Sequence, residues 1–157
     1  MQLEYFQLLD RVSSIDLDRK TIVATATVPL SSTIFEGHFP GYPLMPGVLL
    51  IETMAQTSGW LLLAISRFKQ MPFLAAVKEA KLRNFVQPGE VLTIEATVKH
   101  EGSGFAMTDA QIKVDGKLTS NATLTFRQVT FPNDNLRGHM DKVAERIGMP
   151  LPSVQNG

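Results

Sequence analysis

Between Pro46 and Phe68 the chain is apolar on nearly every face of a helix: Leu49, Glu52, Gln56, Trp60 and Leu63 recur at three- and four-residue steps, and the faces between them are also largely apolar. Such a helix must be wrapped by other elements. Its length approaches that of a membrane span, but Glu52, Thr53, Gln56, Thr57 and Ser58 interrupt the apolar run and favour burial in protein. Pro46 suits the first helical position, where its missing N–H costs nothing. Around it, Gly37, Gly41 and Gly47 are interspersed with Pro40, Pro43 and Pro46 close to His38, a density that no regular element accommodates. His38 is therefore expected in a rigid, irregular loop, and Glu52 inside the helix that follows.

The wrapper is legible on both sides. Residues 5–17 suggest a short helical turn and then a strand near Val12, and Thr21–Val28 alternates with period two, completing an antiparallel hairpin. Leu30–Glu36 leads into the loop. Beyond the helix, which Pro72 is expected to close off, four β-type segments follow: Phe73–Phe85, Glu90–His100, Phe105–Val114 and Lys117–Phe126. Gln87-Pro88-Gly89-Glu90, Glu101-Gly102-Ser103-Gly104 and Asp115-Gly116 supply turn chemistry between them, which predicts an antiparallel meander. Gly59 within the helix points to close packing. The result is an α+β domain in which a curved antiparallel sheet is wrapped around a long central helix. From Asn133 to Ile147 a short amphipathic helix is added, ended by Gly148 and Pro150, and the final LPSVQNG is expected to be loose.

At 157 residues the chain fits a single core. The 15 basic and 15 acidic residues cancel, so no global field argues for nucleic acid, and an acidic partner must meet a local patch. No cysteine is present, which removes disulfides, thiolate nucleophiles and cysteine-based metal sites. Three scattered histidines show no metal-ligand spacing, and nothing implies a cofactor. The acids Glu4 and Asp10 in MQLEYFQLLDRV do not read as a signal peptide, so a cytoplasmic location is expected.

His38-Phe39-Pro40-Gly41, then Met45-Pro46-Gly47-Val48 and Ile51-Glu52-Thr53-Met54-Ala55-Gln56, form an ordered set of unusual residues. On this set the chain resembles the 3-hydroxyacyl-acyl carrier protein dehydratases of the FabZ type. Phe85–Gly89 and Asp115-Gly116-Lys117 fall where that family has its PVVPG-like and DGK elements, and the likeness extends over roughly Phe6–Phe126. It implies a hot-dog fold over residues 1–130, with 131–157 as a helical extension and tail. It also implies a homodimer in which the histidine of one protomer faces the carboxylate of the other, with a trimer of dimers common in the family. Glutamate at position 52 favours a dehydratase over the relatives that also isomerise the double bond, which usually carry aspartate.

Removing water from a 3-hydroxyacyl thioester needs a base at the α-carbon, a proton donor to the departing hydroxyl, and stabilisation of charge on the thioester oxygen. His38 is the candidate base. Glu52 is the candidate donor, because apolar surroundings disfavour a charged carboxylate. Gln56, one turn later, could orient it. The N–H groups of Gly47 and Val48, at the positive end of the helix, can bind an oxyanion. By resemblance, Gly47 N–H polarises the carbonyl, the Leu44 carbonyl holds the histidine ring, and Tyr42–Pro43 is a candidate cis peptide.

Lys78, Lys81 and Arg83 read either as a solvated strand face or as a docking patch for the acidic acyl carrier protein and its phosphopantetheine arm, to which Arg137, Lys142 and Arg146 could add. His100 and His139 are expected to be solvated. Trp60, Phe68, Met54 and Met71 are expected in the core or along a tunnel, and neither Ser31-Ser32 nor Ser58 has a nucleophile-elbow frame. The terminal helix exceeds the usual family length and hints at a member serving long acyl chains, as in some lipid A pathways. A hot-dog acyl thioesterase and a non-catalytic acyl-binding module are the competing readings.

Overall fold

A computed structural model of the chain describes residues 1–150; the LPSVQNG segment lies outside the described residues. The β-branched, alternating segments form six strands: β1 (Arg11–Asp16), β2 (Thr21–Thr27), β3 (Gln70–Leu82), β4 (Val91–Gly102), β5 (Phe105–Val114) and β6 (Lys117–Thr130). They make one antiparallel sheet in the order β1-β2-β4-β5-β6-β3. The meander expected of the last four strands therefore holds for β4, β5 and β6 only. β3 crosses to the far edge and pairs with β6, so the Gln87–Glu90 turn starts a crossover and not a hairpin. Asp115 and Gly116 both take positive φ, 50° and 77°, as a tight two-residue hairpin demands.

Pro72 does not close the connection after the helix. It sits inside β3, opposite Gln128, at the sheet edge, where its missing donor breaks no ladder hydrogen bond. β3 also starts earlier than the expected Phe73, because the chain leaves the central helix sooner, through left-handed turns at Arg67 and Phe68 with φ 55° and 59°.

The central helix is α2 (Gly47–Ile65). It packs against β2, β3, β4, β5 and β6. Small inward residues on the strands make room for it: Ala24, Ala26, Ala96, Ala106, Ala110 and Ala122 are all buried on the concave face. Into that space α2 projects Met54, Leu61 and Leu62, none of them accessible to solvent, and each such side chain contributes about 1.5–3 kcal/mol by leaving water. The hydroxyls of Thr53 and Thr57 donate to the Leu49 and Thr53 carbonyls, and Thr108 Oγ1 donates to Ser58 Oγ at 2.8 Å, so the polar residues inside the apolar helix are satisfied. By length and composition α2 could cross a bilayer, yet 67% of its apolar stretch is buried inside the fold.

Two helices frame this core. A short one, α1 (Thr33–Gly37), stands where only a lead-in to the loop was expected. The terminal amphipathic helix, α3 (Asp134–Ile147), is capped by Asn133 Oδ1 accepting from Leu136 N–H at 2.8 Å and by Gly148 at φ 78°. Its Ala144 and Ile147 join the main core.

Candidate active site

α1 aims His38. Ser32 Oγ caps it by accepting from Ile34 N–H at 3.1 Å, and the same hydroxyl donates to Glu4 Oε1 at 2.7 Å. Glu4, in the 3₁₀ turn Leu3–Tyr5, also accepts from Thr33 N–H at 3.1 Å, so the N-terminus is tied to the start of α1. The Ser32 hydrogen bond is the main reason the Glu4 carboxyl titrates below its ordinary value, with backbone N–H bonds adding to it. A carboxyl depressed in the folded state stabilises the fold above its unfolded value and loses that contribution as pH falls through its folded value. Glu4→Gln is therefore expected to lose less stability than wild type between roughly pH 6 and pH 3, read as the shift of the urea midpoint at each pH. Identical acid dependence in the two proteins would count against this tie.

His38 ends α1, donating its backbone N–H to the Ile34 carbonyl at 3.0 Å. Its ring Nδ1 lies 3.0 Å from the Leu44 carbonyl oxygen, and Leu44 N–H returns a 3.0 Å bond to the His38 carbonyl. A carbonyl can only accept, so Nδ1 carries the proton, and in the neutral ring Nε2 holds the free lone pair. The expected cis peptide at Tyr42–Pro43 is not present; the cis bond lies at His38–Phe39. There Phe39 and Tyr42 exchange backbone hydrogen bonds of 2.9 Å in a closed turn, and the His38 and Phe39 rings stack with centroids 4.0 Å apart. Met45 N–H donates to the Val86 carbonyl at 2.8 Å, which pins the loop to the segment after β3.

α2 begins one residue later than expected. Pro46 is its cap, and the Pro46 carbonyl accepts from Leu49 and Leu50 N–H at 3.0 and 3.3 Å. The N–H groups of Gly47 and Val48 thus stand ahead of the first helical bond. A Cβ at Gly47 would meet Leu82 Cδ1 at 2.3 Å, so the end of β3 closes against the helix start. One turn on, Glu52 Oε1 accepts from Gln56 Nε2 at 3.2 Å. The Gln56 amide is itself held: Nε2 donates to the Phe6 carbonyl at 2.7 Å, and Oε1 accepts from Leu8 N–H at 3.1 Å. These two N-terminal contacts were invisible in the sequence, because they are made by main-chain atoms and any residue types could supply them.

Glu52 and Gln56 open onto a groove of about 330 Å³ between α2, β3, α3 and the N-terminal segment around Tyr5 and Leu9. Trp60 and Met71 line it; Trp60 is also buried in the core, to which Met54 and Phe68 belong. His139, expected only to be solvated, is exposed but stands on the groove wall. His38 does not line this groove, and Glu52 is only half-buried within one protomer, so the apolar enclosure expected around the carboxyl is incomplete in a single chain. Lys78 and Lys81 are exposed on β3 and Arg83 just past its end, and the strand's register shifts between Lys78 and Lys81; the basic residues do not simply alternate. Arg83 Nε donates to Asn121 Oδ1 at 3.2 Å. Ser32 and Ser58 are occupied by capping and core hydrogen bonds.

A curved antiparallel sheet around one long helix, with a histidine loop at the helix start, is the hot-dog fold. A dehydratase heterocomplex, ApeI:P from Xenorhabdus doucetiae, superposes with TM-score 0.56 at 19% identity over 69% of this chain and 88% of that one. A hypothetical thioesterase from Streptococcus pneumoniae TIGR4, with coenzyme A, gives 0.60 at 18% over 78% and 88%. Residues 1–123 match the model of the FabA-like domain, and the chain belongs to that family. It is 44% identical over 121 residues to a 3-hydroxyacyl-acyl carrier protein dehydratase FabZ of Streptococcus pneumoniae (strain Hungary19A-6), an alignment spanning 76% of this chain and 84% of the relative.

Proposed function

We propose that the protein is a lyase that removes water from 3-hydroxyacyl thioesters on acyl carrier protein, giving trans-2-enoyl thioesters in fatty acid biosynthesis. The observation that carries the mechanism is the Leu44 carbonyl on His38 Nδ1, which leaves Nε2 as a base. Nε2 takes the proton from the α-carbon; the electron pair of that C–H bond becomes the new double bond as the bond from C3 to oxygen breaks. Glu52, held by the Gln56 amide, serves as the proton donor to the departing hydroxyl, which leaves as water. The Gly47 N–H stabilises the negative charge that gathers on the thioester oxygen in between.

The two groups act across a dimer. Supporting this, the groove that holds Glu52 lacks His38, and β3 is an unpaired edge with Phe73, Leu74, Val77 and Leu82 exposed along it. A long edge strand with apolar side chains is a template for pairing with another copy. Two-fold pairing there brings two sites into one assembly, and such dimers can assemble further in threes. Lys78 and Lys81, exposed on the same strand, and Arg83 just past its end suit an acidic carrier protein whose arm delivers the thioester.

Incubation with a 3-hydroxyacyl-carrier thioester, followed by mass spectrometry of the carrier, tests the reaction. Loss of one water with the thioester intact is the expected result. Release of free carrier thiol would establish the thioesterase reading suggested by the coenzyme A-bound fold neighbour, and an unchanged adduct would overturn catalysis altogether.

A further inference from the structure

The residues matched by the FabA-like domain end at 123, and α3 lies wholly beyond them. Its apolar side chains have two destinations. Ala144 and Ile147, with Met149 just past the helix, are fully buried and anchor it on the core. Met140 and Val143 stay half-buried and face the groove at Glu52. Across from them, Ala55, Gly59, Trp60 and Leu63 of α2 line the same groove from one side of the helix. At 1.5 Å per residue, that wall runs roughly 16 Å from Glu52 to Leu63. The groove therefore has a carboxyl at one end and a long, mainly apolar body beyond it, with Gln7, His139 and Arg146 as polar members of its wall.

One occupant matches both ends: a linear hydrocarbon tail whose hydroxylated carbon sits at Glu52. We infer that α3 is a specificity element of this enzyme, with Met140 and Val143 forming the wall that encloses the acyl tail and sets the tail length accepted. This rests on the dehydratase reading for the identity of the tail's head, but the groove can be tested separately. Without α3 the tail would touch α2, β3 and the N-terminal residues Tyr5, Phe6 and Leu9, and would meet water on the remaining side. With α3 in place each further methylene leaves water, which is worth about fourfold in affinity per methylene until the groove is full.

Trp60 is the only tryptophan in the sequence and lines the groove, so its fluorescence reports directly on the tail. The full-length protein is titrated with 3-hydroxyacyl amides of pantetheine, unreactive analogues of graded tail length. Affinity is expected to rise with length to a limit. Val143→Phe should move that limit to shorter tails and weaken the longest by at least about tenfold, and Met140→Ala should move it to longer ones. Identical length profiles in the wild type and both variants would overturn the inference, as would a Trp60 signal indifferent to length; a second copy covering the groove would give that pattern. The reaction is judged independently by loss of water from a carrier-bound thioester. A length-dependent Trp60 signal without water loss would sink the dehydratase reading and leave the acyl groove standing. Water loss with unaltered length profiles in the variants would do the reverse.

Discussion

Replacing His38 with alanine is expected to lower the rate of dehydration by about 10²–10⁴-fold, the usual worth of a positioned acid–base group. The loss should fall on kcat more than on KM, since in the proposed reaction the ring meets the α-proton and not the tail or the carrier. The ring also donates to the Leu44 carbonyl, and Leu44 is 5% exposed, so alanine leaves a nearly buried acceptor unmatched. That deficit costs about 1–3 kcal/mol of stability. His38→Asn offers a side-chain donor at the same place; it should recover part of the stability and none of the activity. Steady-state kinetics beside denaturant unfolding separates the two effects. Full activity in either variant would remove His38 from the mechanism.

Glu52→Gln is expected to produce a loss of similar size, about 10²–10⁴-fold in kcat, with almost no structural cost. A glutamine at 52 keeps an oxygen that can accept from the Gln56 amide, the bond now made at 3.2 Å, and the residue is only half-buried. What it cannot do is release a proton to the leaving hydroxyl. Stability within about 0.5 kcal/mol of wild type, combined with lost turnover, is the expected pair of results. Retained turnover would mean that water or another group protonates the hydroxyl.

The parts of the fold that could be read from the chain were those in which local pattern and tertiary environment agree. α2 is wrapped by strands, and its apolar faces announced as much; Asp115-Gly116 sits in the turn that its chemistry prefers. The parts that escaped are set by pairing partners distant in sequence. Nothing in Gln70–Leu82 says that β3 joins β6 and not β4, and Pro72 looked like a terminator because its tolerance depends on lying at an edge. α1 is too short to show a period, although Ser32 in the capping position was a signal that could have marked it. At the site, His38 with Leu44 and Glu52 with Gln56 were both expected and both meet within hydrogen-bond distance. The support from Phe6 and Leu8 was illegible, since it comes from the main chain. The groove between α2 and α3 needed three dimensions, because Trp60 and Val143 belong to elements that no local pattern connects.

The proposed division of the site between two protomers is tested most directly by mixing two variants, each expected to be inactive. His38→Ala and Glu52→Gln are unfolded together, refolded at equal concentration and assayed for dehydration. Random pairing gives half heterodimers, each holding one intact pair and one doubly damaged pair, so activity should return to about a quarter of wild type if His38 of one chain serves Glu52 of the other. If each protomer carried its own complete pair, every site in the mixture would lack one group, and the mixture would be as inactive as its components.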